Sequence, residues 1–353
     1  MTETHEKTGR KFWDPAGFPL EKLRRVCIEE FALPRYKADQ IFAWIHGRNV
    51  LDFSDMTDLS KNLRILLAKS FRFNTLSFVK QHEASDGVVK GVFETHDGLF
   101  VETVIIPEGE KVTQCISTQV GCRMGCLFCA TARMGFNRNL TAGEIVGQAA
   151  WGRKIAEASG SRVSNLVYMG MGEPLDNYEQ VRDSLLILLE PLGHNFSTRK
   201  ITLSTVGNIP GLQRLGLESF QVNLAVSVNS PTQDVRARLM PAAKRWPLPM
   251  LMETLGSFPL EKRRRITVEY VLLSGVNDSS TDAKKLALLF RKIPCKMNLI
   301  RINPFPGCAY EPPTMEVAER FQDVLRSEGY TVFLRKSRGA EIQAGCGQLA
   351  ASA

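Results

Sequence analysis

The chain has 353 residues, and its 45 lysines and arginines outnumber its 37 aspartates and glutamates, giving a formal net charge of +8. A hydrophobic content of 44% is ordinary for a globular protein and excludes a disordered chain, and no stretch approaches the ~20 consecutive apolar residues of a membrane span. The first residues, MTETHEKTGRKFWDP, are polar and contain no apolar signal region, so we expect a cytoplasmic protein.

Residues 1–75 are predicted to form a small helical domain, and residues 76–112 a β-hairpin extension. In the first segment, apolar residues recur at helical spacing in two groups: Ala38, Ile41, Phe42 and Ile45, then Leu59, Leu63 and Leu66. In the second segment the period falls to two, and two strand-like runs flank His96, Asp97 and Gly98 in a pattern typical of a hairpin.

From residue 113 to residue 353, strand-like runs alternate with helix-like ones, which indicates repeated βαβ units and a parallel sheet. Six repeats without a nucleotide-binding GxGxxG motif predict an α/β fold, a partial (β/α)6 barrel. Sites in such sheets lie at the carboxyl ends of the strands. The candidate residues follow or end these runs: the cysteine cluster, residues 170–174, Ser204, residues 227–229 and Asn303.

Eight cysteines in such a chain favour metal or redox chemistry over a disulfide scaffold. Cys122, Cys126 and Cys129 follow the first predicted barrel strand, residues 114–120, with the spacing C-x3-C-x2-C. Three thiolates on one loop can hold three irons of a four-iron cluster, and the fourth iron is then open to chelate S-adenosylmethionine through its amino and carboxylate groups. A zinc site is the alternative, but it needs a fourth ligand, for which His194 is distant and Cys115 lies inside a strand.

Residues 169–174, MGMGEP, end the second barrel strand. Glycines there let the backbone approach a ligand closely, and Glu173 can receive the ammonium group of methionine. An ordinary strand-to-helix turn would have a similar composition. Beside the cysteine motif, cofactor binding is the favoured interpretation.

Taken together, these motifs resemble the RlmN/Cfr family of radical S-adenosylmethionine adenine methyltransferases. The resemblance covers most of residues 90–350 and rests on the stretches VETVIIPE, CISTQVGC, GCLFC, GFNRNLT, MGMGEP, TLSTVG, NPFPG and AGCGQL. NPFPG and RKSRG favour the RlmN branch, which methylates adenine C2, over the Cfr branch, which methylates C8.

The resemblance implies specific roles. Cys346 would carry the methyl group, and Cys115 would resolve a covalent protein–RNA adduct by forming a disulfide with it. Glu102 would be the base that removes the C2 proton, and Met169 would lie beside the methylated cysteine. The implied cofactors are a [4Fe-4S] cluster on the three clustered cysteines and two molecules of S-adenosylmethionine per turnover, one of them cleaved to a radical. Contacts to S-adenosylmethionine are expected from Gly172, Glu173, Ser204, Ser227, Val228, Asn229 and Asn303.

Two positions depart from the family pattern. The family usually has Ser-Leu-His where this chain has Ser227, Val228 and Asn229, which leaves a proton-transfer role at that position open because asparagine does not titrate. The family often has alanine before the methyl-carrying cysteine, where this chain has Gly345.

The implied partners are an adenine of 23S ribosomal RNA near the peptidyl-transferase centre, the adenine 3′ of the anticodon in some tRNAs, and a one-electron reductant such as flavodoxin. No membrane partner is expected, and a monomer is favoured. The positive charge fits an RNA partner, and the helical domain at residues 1–75 is the expected RNA-binding domain, although the short basic runs at residues 22–25 and 262–265 decide nothing by themselves. Three alternatives remain: methylation at C8, a radical enzyme for a small molecule or a glycyl-radical activase, and a metal-binding RNA module without catalysis.

Overall fold

The computed structural model describes residues 3–5 and 11–350, and its first part is mainly helical, as predicted. Spacing placed Leu66 on the apolar face, but it is 43% exposed, and Leu67 is fully buried in its place. Ser60 begins the third helix by accepting the Leu63 N–H with its hydroxyl. The helices are α1 (Leu20–Phe31), α2 (Arg35–Phe42), which continues into a π-helical turn at Ala43–Gly47, and α3 (Lys61–Ser70). An antiparallel pair absent from the prediction precedes them: β1 (Glu3–His5) and β2 (Lys11–Trp13).

The predicted hairpin around residues 96–98 is confirmed, and it belongs to a four-stranded antiparallel meander. Gly98 has φ +78°, and its N–H donates to the Thr95 carbonyl (2.9 Å), which closes the turn. The strands are β3 (Ser77–Glu83), β4 (Val89–Glu94), β5 (Phe100–Glu108) and β6 (Lys111–Cys115). Because β6 also pairs with the parallel strands, the hairpin extension and the barrel share one sheet, and the boundary at residue 112 stays a prediction.

The parallel part of this sheet is confirmed, and with the meander it contains ten strands. Each parallel strand pairs with the next along the chain, and the central ones are apolar because helices cover them. The strands are β9 (Val163–Tyr168), β10 (Ile201–Thr205), β11 (Asn223–Ser227), β12 (Ile266–Leu272), β13 (Cys295–Arg301) and β14 (Val332–Arg335).

The predicted first barrel strand, residues 114–120, is wrong as a single element. β6 ends at Cys115, and the chain then forms β7 (Gln119–Gly121), which pairs with β8 (Phe136–Asn139) in a separate sheet. The break occurs at Ser117, whose N–H donates to the Gln148 side chain (2.8 Å) instead of to a strand. A side chain has therefore replaced the ladder hydrogen bond there.

Helices alternate with the parallel strands, as the repeats predicted. They are α4 (Ala130–Arg133), α5 (Ala142–Ala158), α6 (Tyr178–Leu189), α7 (Ile209–Leu215), α8 (Gln233–Leu239), α9 (Leu248–Ser257), α10 (Ser280–Phe290) and α11 (Met315–Ser327). α9 is absent from the prediction, and its Pro249 lies in the first turn, where proline is tolerated. Within the described residues, no helix is both long enough and apolar enough to cross a membrane.

Residues 337–350, here called the C-terminal strap, run from β14 to the antiparallel side of the sheet. Arg338 donates to the Asp86 carboxylate (2.9 Å) and to the Pro107 carbonyl (2.7 Å). Further along the strap, the Leu349 carbonyl accepts the Thr131 hydroxyl (2.6 Å). The strap therefore contacts the meander and the helix that follows the cysteine motif.

Candidate functional site

The three-cysteine loop, residues 122–129, begins at a turn that only glycine can form. Gly121 has φ +74°, and a Cβ there would overlap the Gly135 carbonyl oxygen. That same oxygen accepts the Cys122 N–H (2.8 Å). The small β7–β8 sheet therefore fixes where the first cysteine leaves the fold.

The far end of this loop is held by two other elements. The Leu127 N–H donates to the Leu239 carbonyl at the end of α8 (3.0 Å), and the Ala130 N–H donates to the Gly347 carbonyl of the strap (2.7 Å). Cys129 is the N-cap residue of α4, and its N–H donates to the Cys126 carbonyl (3.2 Å). The loop geometry thus depends on α8 and on the strap.

Burial keeps the three thiols protonated when no metal is bound. It raises the pKa of Cys122 to about 12 and that of Cys126 well above its ordinary value, where Cys129 and Cys122 raise it further. Burial also raises the pKa of Cys129. Metal binding must therefore displace protons from these sulfurs.

The donor set fits an iron–sulfur cluster. Among residues 3–5 and 11–350, no three His, Cys, Asp or Glu side chains converge as the ligands of a single ion would. A cubane does not require such convergence, because each thiolate binds a different iron. Three cysteine sulfurs on one loop, from two buried residues and one half-buried residue, are the ligands that this soft metal centre prefers.

A first cavity lies beside the loop, at the carboxyl ends of the parallel strands, and encloses about 1000 Å³, part of it open to solvent. Most of the predicted cofactor residues line it: Gly172, Glu173, Ser204, Ser227 and Asn229, together with Met169, Cys346 and the three clustered cysteines. Val228 is not among its lining residues. It is fully buried, and its N–H donates to the Glu269 carbonyl (3.0 Å).

The MGMGEP segment packs closely against β7 of the small sheet, and its close approach to a ligand stays a prediction. A Cβ on Gly172, which has φ +102°, would lie 2.6 Å from Gln119 Cβ. The Glu173 carboxylate already accepts the N–H groups of Leu175 (3.1 Å) and Val206 (2.9 Å), while burial raises its pKa to about 7. Glu173 can therefore be neutral or charged near neutral pH.

A second cavity of about 920 Å³ adjoins the first and contains both distant cysteines, Cys115 and Cys346. Cys115 is buried at the end of β6, and Cys346 is exposed to the cavities. Burial raises the pKa of Cys115, and Cys346 raises it further, which reflects their proximity. Both thiols are free, and Met169 lines the same cavity.

Asn303 contacts the strap. Its amide donates to the Cys346 carbonyl (3.2 Å) and accepts the Ser337 hydroxyl, and it lines the second cavity and not the first. A Cβ on Gly345 would lie 2.8 Å from the Asn303 amide nitrogen. Asn303 is thus placed to position Cys346, and contact with S-adenosylmethionine stays a prediction for it.

The side chains of Glu102 and Asn229 both bind other groups of the protein. Glu102 pairs with the buried Lys90 (2.9 Å) and accepts the Ala350 N–H (2.9 Å), and it is not among the lining residues of either cavity. Asn229 has φ +56°, a conformation that asparagine tolerates, and its side-chain oxygen accepts the Val271 N–H (2.8 Å).

The sequence analysis missed Glu269, which lines both cavities. It lies within β12, accepts the Asn298 side-chain amide (2.9 Å), and has its pKa raised by burial. The Cys346 thiol faces the cavities and not bulk water, so desolvation raises its pKa, and the charge of Glu269 raises it further. The signal that could have revealed it is a single carboxylate inside an otherwise apolar parallel strand, RITVEYVLL.

Comparison with known proteins agrees with this geometry. Residues 16–72 match the family described as "Ribosomal RNA large subunit methyltransferase N-terminal domain", and residues 116–289 match the radical SAM superfamily. Two curated proteins called dual-specificity RNA methyltransferase RlmN are similar to the chain. The one from Desulfotalea psychrophila is 46% identical and aligns over 94% of each chain, and the one from Geobacter sulfurreducens is 45% identical over 95% of this chain and 91% of its own.

A solved structure agrees over nearly the whole length. The crystal structure of a radical SAM methyltransferase from Sphaerobacter thermophilus superposes with a TM-score of 0.90 at 42% identity, covering 95% of this chain and 98% of that one. The chain therefore belongs to the RlmN family of radical S-adenosylmethionine RNA methyltransferases.

Proposed function

We propose that this protein methylates C2 of one adenine in 23S ribosomal RNA and of the adenine 3′ of the anticodon in some tRNAs. The observation that carries the proposal is the presence of Cys115 and Cys346 in one cavity, next to the cavity that contains the three-cysteine loop. The name of the relatives, dual-specificity RNA methyltransferase, supports two classes of RNA substrate.

Cys122, Cys126 and Cys129 would hold the four-iron cluster that membership in the radical SAM superfamily implies. When bound, the cluster and S-adenosylmethionine supply the methyl group and the one-electron chemistry, with two molecules of the latter per turnover and a reductant such as flavodoxin. Gly172, Glu173, Ser204, Ser227 and Asn229 line the space where S-adenosylmethionine would bind, and Val228 would contribute by supporting that strand end.

The two distant cysteines, Cys115 and Cys346, would form the covalent bonds of the reaction. Cys346 loses its thiol proton and accepts the methyl group on Sγ, with Met169 beside it. After the carbon has joined the adenine, the Cys115 thiolate attacks Cys346 Sγ, so that a disulfide forms as the sulfur–carbon bond breaks. The carbon leaves with the bonding electron pair and takes up a proton to become the methyl group. The presence of both thiols in one cavity supports this exchange.

Two carboxylates are candidates for the base that removes the adenine C2 proton. Glu102, the predicted one, is bound by Lys90 and by the strap, so it would need to exchange these contacts to reach the RNA. Glu269 lines both cavities and has a raised pKa, as a base working near neutral pH requires. We expect Glu269→Gln to lower the yield of methylated adenosine more than Glu102→Gln, while both keep the cluster. The reverse order would assign the proton to Glu102.

The adenine must leave its stack to reach these cavities, because both lie inside the fold at the strand ends. The segment at residues 16–72 and the net positive charge support RNA binding outside the cavities. The chemistry thus needs an RNA whose target base is unpaired or easily extruded.

The experiment that tests this function is mass spectrometry of nucleosides from rRNA and tRNA incubated with the reconstituted enzyme. We expect 2-methyladenosine from the wild type and neither methylated protein nor methylated RNA from Cys346→Ala. Cys115→Ala should accumulate a protein–RNA adduct that survives denaturing electrophoresis until nuclease is added.

Cys308→Ala provides the matched control, since this half-buried free cysteine lies outside both cavities. It should behave as the wild type does. Formation of 8-methyladenosine would support C8 chemistry instead. Normal turnover by Cys115→Ala would contradict the roles proposed for the two thiols.

A further inference from the structure

Arg236 is a fully buried cation in α8, with 0% exposure and the largest volume among the fully buried side chains. Its guanidinium donates to the Val206 carbonyl (2.6 Å) and to the Trp246 carbonyl (3.2 Å), while Nε has no hydrogen-bond partner. In the part of the chain that the structure describes, no carboxylate balances its charge. An unpaired buried charge is strongly destabilising, so its presence requires an explanation.

Burial lowers the pKa of Arg236 to about 10, which still leaves the side chain charged at neutral pH. Val206, whose carbonyl Arg236 binds, lines the first cavity together with the three clustered cysteines. The three-cysteine loop and α8 are in direct contact, because the Leu239 carbonyl of α8 accepts the Leu127 N–H (3.0 Å). Met240, which follows α8, also lines the first cavity.

We propose that Arg236 is the fixed counter-charge of the iron–sulfur cluster and favours its one-electron reduced state. This inference rests on the proposed function, in which Cys126 is a cluster ligand. Reduction adds one electron, supplied by the reductant named above, to a centre that already contains three thiolates. A buried cation beside that centre stabilises the added negative charge, because little water is present to screen it.

A purely structural role is the competing explanation. The two carbonyls that Arg236 binds belong to the segments after β10 and before α9, and the side chain could simply join them. The counter-charge role requires the positive charge of the side chain, whereas the structural role requires its pair of hydrogen bonds. Lysine retains the charge but cannot reproduce the forked geometry, whereas glutamine retains a donor and is neutral.

The test is an anaerobic redox titration of the cluster, followed by electron paramagnetic resonance without S-adenosylmethionine, on the full-length loaded protein. We expect Arg236→Gln to lower the ratio of reduced to oxidised cluster at a fixed potential at least about tenfold, equivalent to a shift of about 59 mV to more negative values. Arg236→Lys should stay within about threefold of the wild type. Iron content per chain is measured in parallel.

Arg238→Gln is the matched control, because Arg238 is exposed on the same helix and water screens its charge. It should leave the potential unchanged. Loss of the cluster in Arg236→Gln alone, with Lys retaining it, would also support the proposal. Equal potentials in all variants, equal shifts in Gln and Lys, or loss of folded protein in both would overturn it.

Other results would contradict the proposed function itself, and they differ from those that reject the role of Arg236. A wild-type protein that binds no four-iron cluster, or a Cys126→Ala variant that keeps an intact one, would remove the assigned ligands. A normal cluster with a potential insensitive to residue 236 would reject only the role of Arg236.

Discussion

Asp14 shows how a single buried carboxyl can make the stability of this protein depend on pH. Its side chain is 3% exposed and accepts the Ala16 N–H (3.1 Å) at the start of a 3-10 turn, Pro15–Gly17, that packs on α5. A Cβ on Gly143 of α5 would lie 2.8 Å from its second oxygen. Burial raises the pKa of Asp14 from 3.8 to about 7, so the folded protein holds this group protonated where the unfolded chain would ionise it.

The resulting contribution to the free energy of unfolding is fully present below about pH 4 and is lost as the pH rises to about 7, on the order of a few kcal/mol. Asp14→Asn cannot ionise and keeps an acceptor for the Ala16 N–H. We expect its melting temperature, relative to the wild type, to rise by a few degrees between pH 5 and pH 8. Asp55→Asn, an exposed carboxylate in the same region, should show no such change. A constant difference at both pH values would contradict the buried proton.

Among individual functional residues, those that could be predicted are the ones whose chemistry depends on neighbours close in the sequence. The spacing of Cys122, Cys126 and Cys129 indicates a cluster loop without knowledge of the fold. Glu269 and Arg236 were not recognised, because their meaning depends on burial and on neighbours far away in the chain. A charged residue inside a predicted apolar strand is the signal that would have identified Glu269. Arg236 lies in the polar helix sequence QDVRARL, which gives no such signal.

The shape of the three-cysteine loop is set by backbone contacts at each of its ends. Gly121 provides the tight approach to Gly135 at the beginning, and the strap and α8 hold the end through Gly347 and Leu239. Side-chain chemistry alone is therefore insufficient for cluster binding. The backbone path must be correct before the three sulfurs can act together.

Gly121→Ala tests this requirement without removing any ligand. The added Cβ would overlap the Gly135 carbonyl and disfavour φ +74°, so the Cys122 N–H would lose its acceptor. We expect a large loss of iron per chain after reconstitution, measured by colorimetric iron analysis. Gly256→Ala in α9, where a Cβ meets nothing within 4 Å, should bind iron normally. Full iron content in Gly121→Ala would show that the turn tolerates a side chain.

The repeating elements were predictable, and the irregular ones were not. Alternating apolar periods identify the parallel strands and most helices, because each repeat must bury one face. β7 departs from the pattern since the Gln148 side chain takes over the hydrogen bond of Ser117, a contact between distant residues. α9 was missed because Pro249 marks a break in sequence but lies in the first turn of the helix.

Basic residues lie at both ends of the parallel sheet. The run at residues 262–265 immediately precedes β12, so it lies at the amino ends of the strands, opposite the cavities. Lys336 follows β14 and lines the second cavity, and Arg133 of α4 donates to the Pro306 carbonyl (3.3 Å) beyond β13. Lys336 and Arg133 therefore lie at the end of the sheet where the two cavities are found.

Paired substitutions separate these two ends. Lys336→Gln combined with Arg133→Gln should weaken RNA binding about tenfold at moderate salt and reduce the slope of log affinity against log salt by about one to two, since two phosphate contacts are lost. Lys262→Gln combined with Arg263→Gln changes the same charge at the amino ends and should have little effect. Filter binding across a salt series measures both. Equal losses in the two pairs would indicate that only net charge matters.

The contact between the strap and the meander also has an evolutionary consequence. Asp86 accepts hydrogen bonds from the Arg338 guanidinium (2.9 Å) and from the Gly339 N–H (3.0 Å), across 252 positions of the chain. If Asp86 or Arg338 is lost, the remaining side chain has no counter-charge at the segment that leads to Cys346. In an alignment of relatives, positions 86 and 338 are therefore expected to change together, and independent variation at the two would show that the strap is held by its other contacts alone.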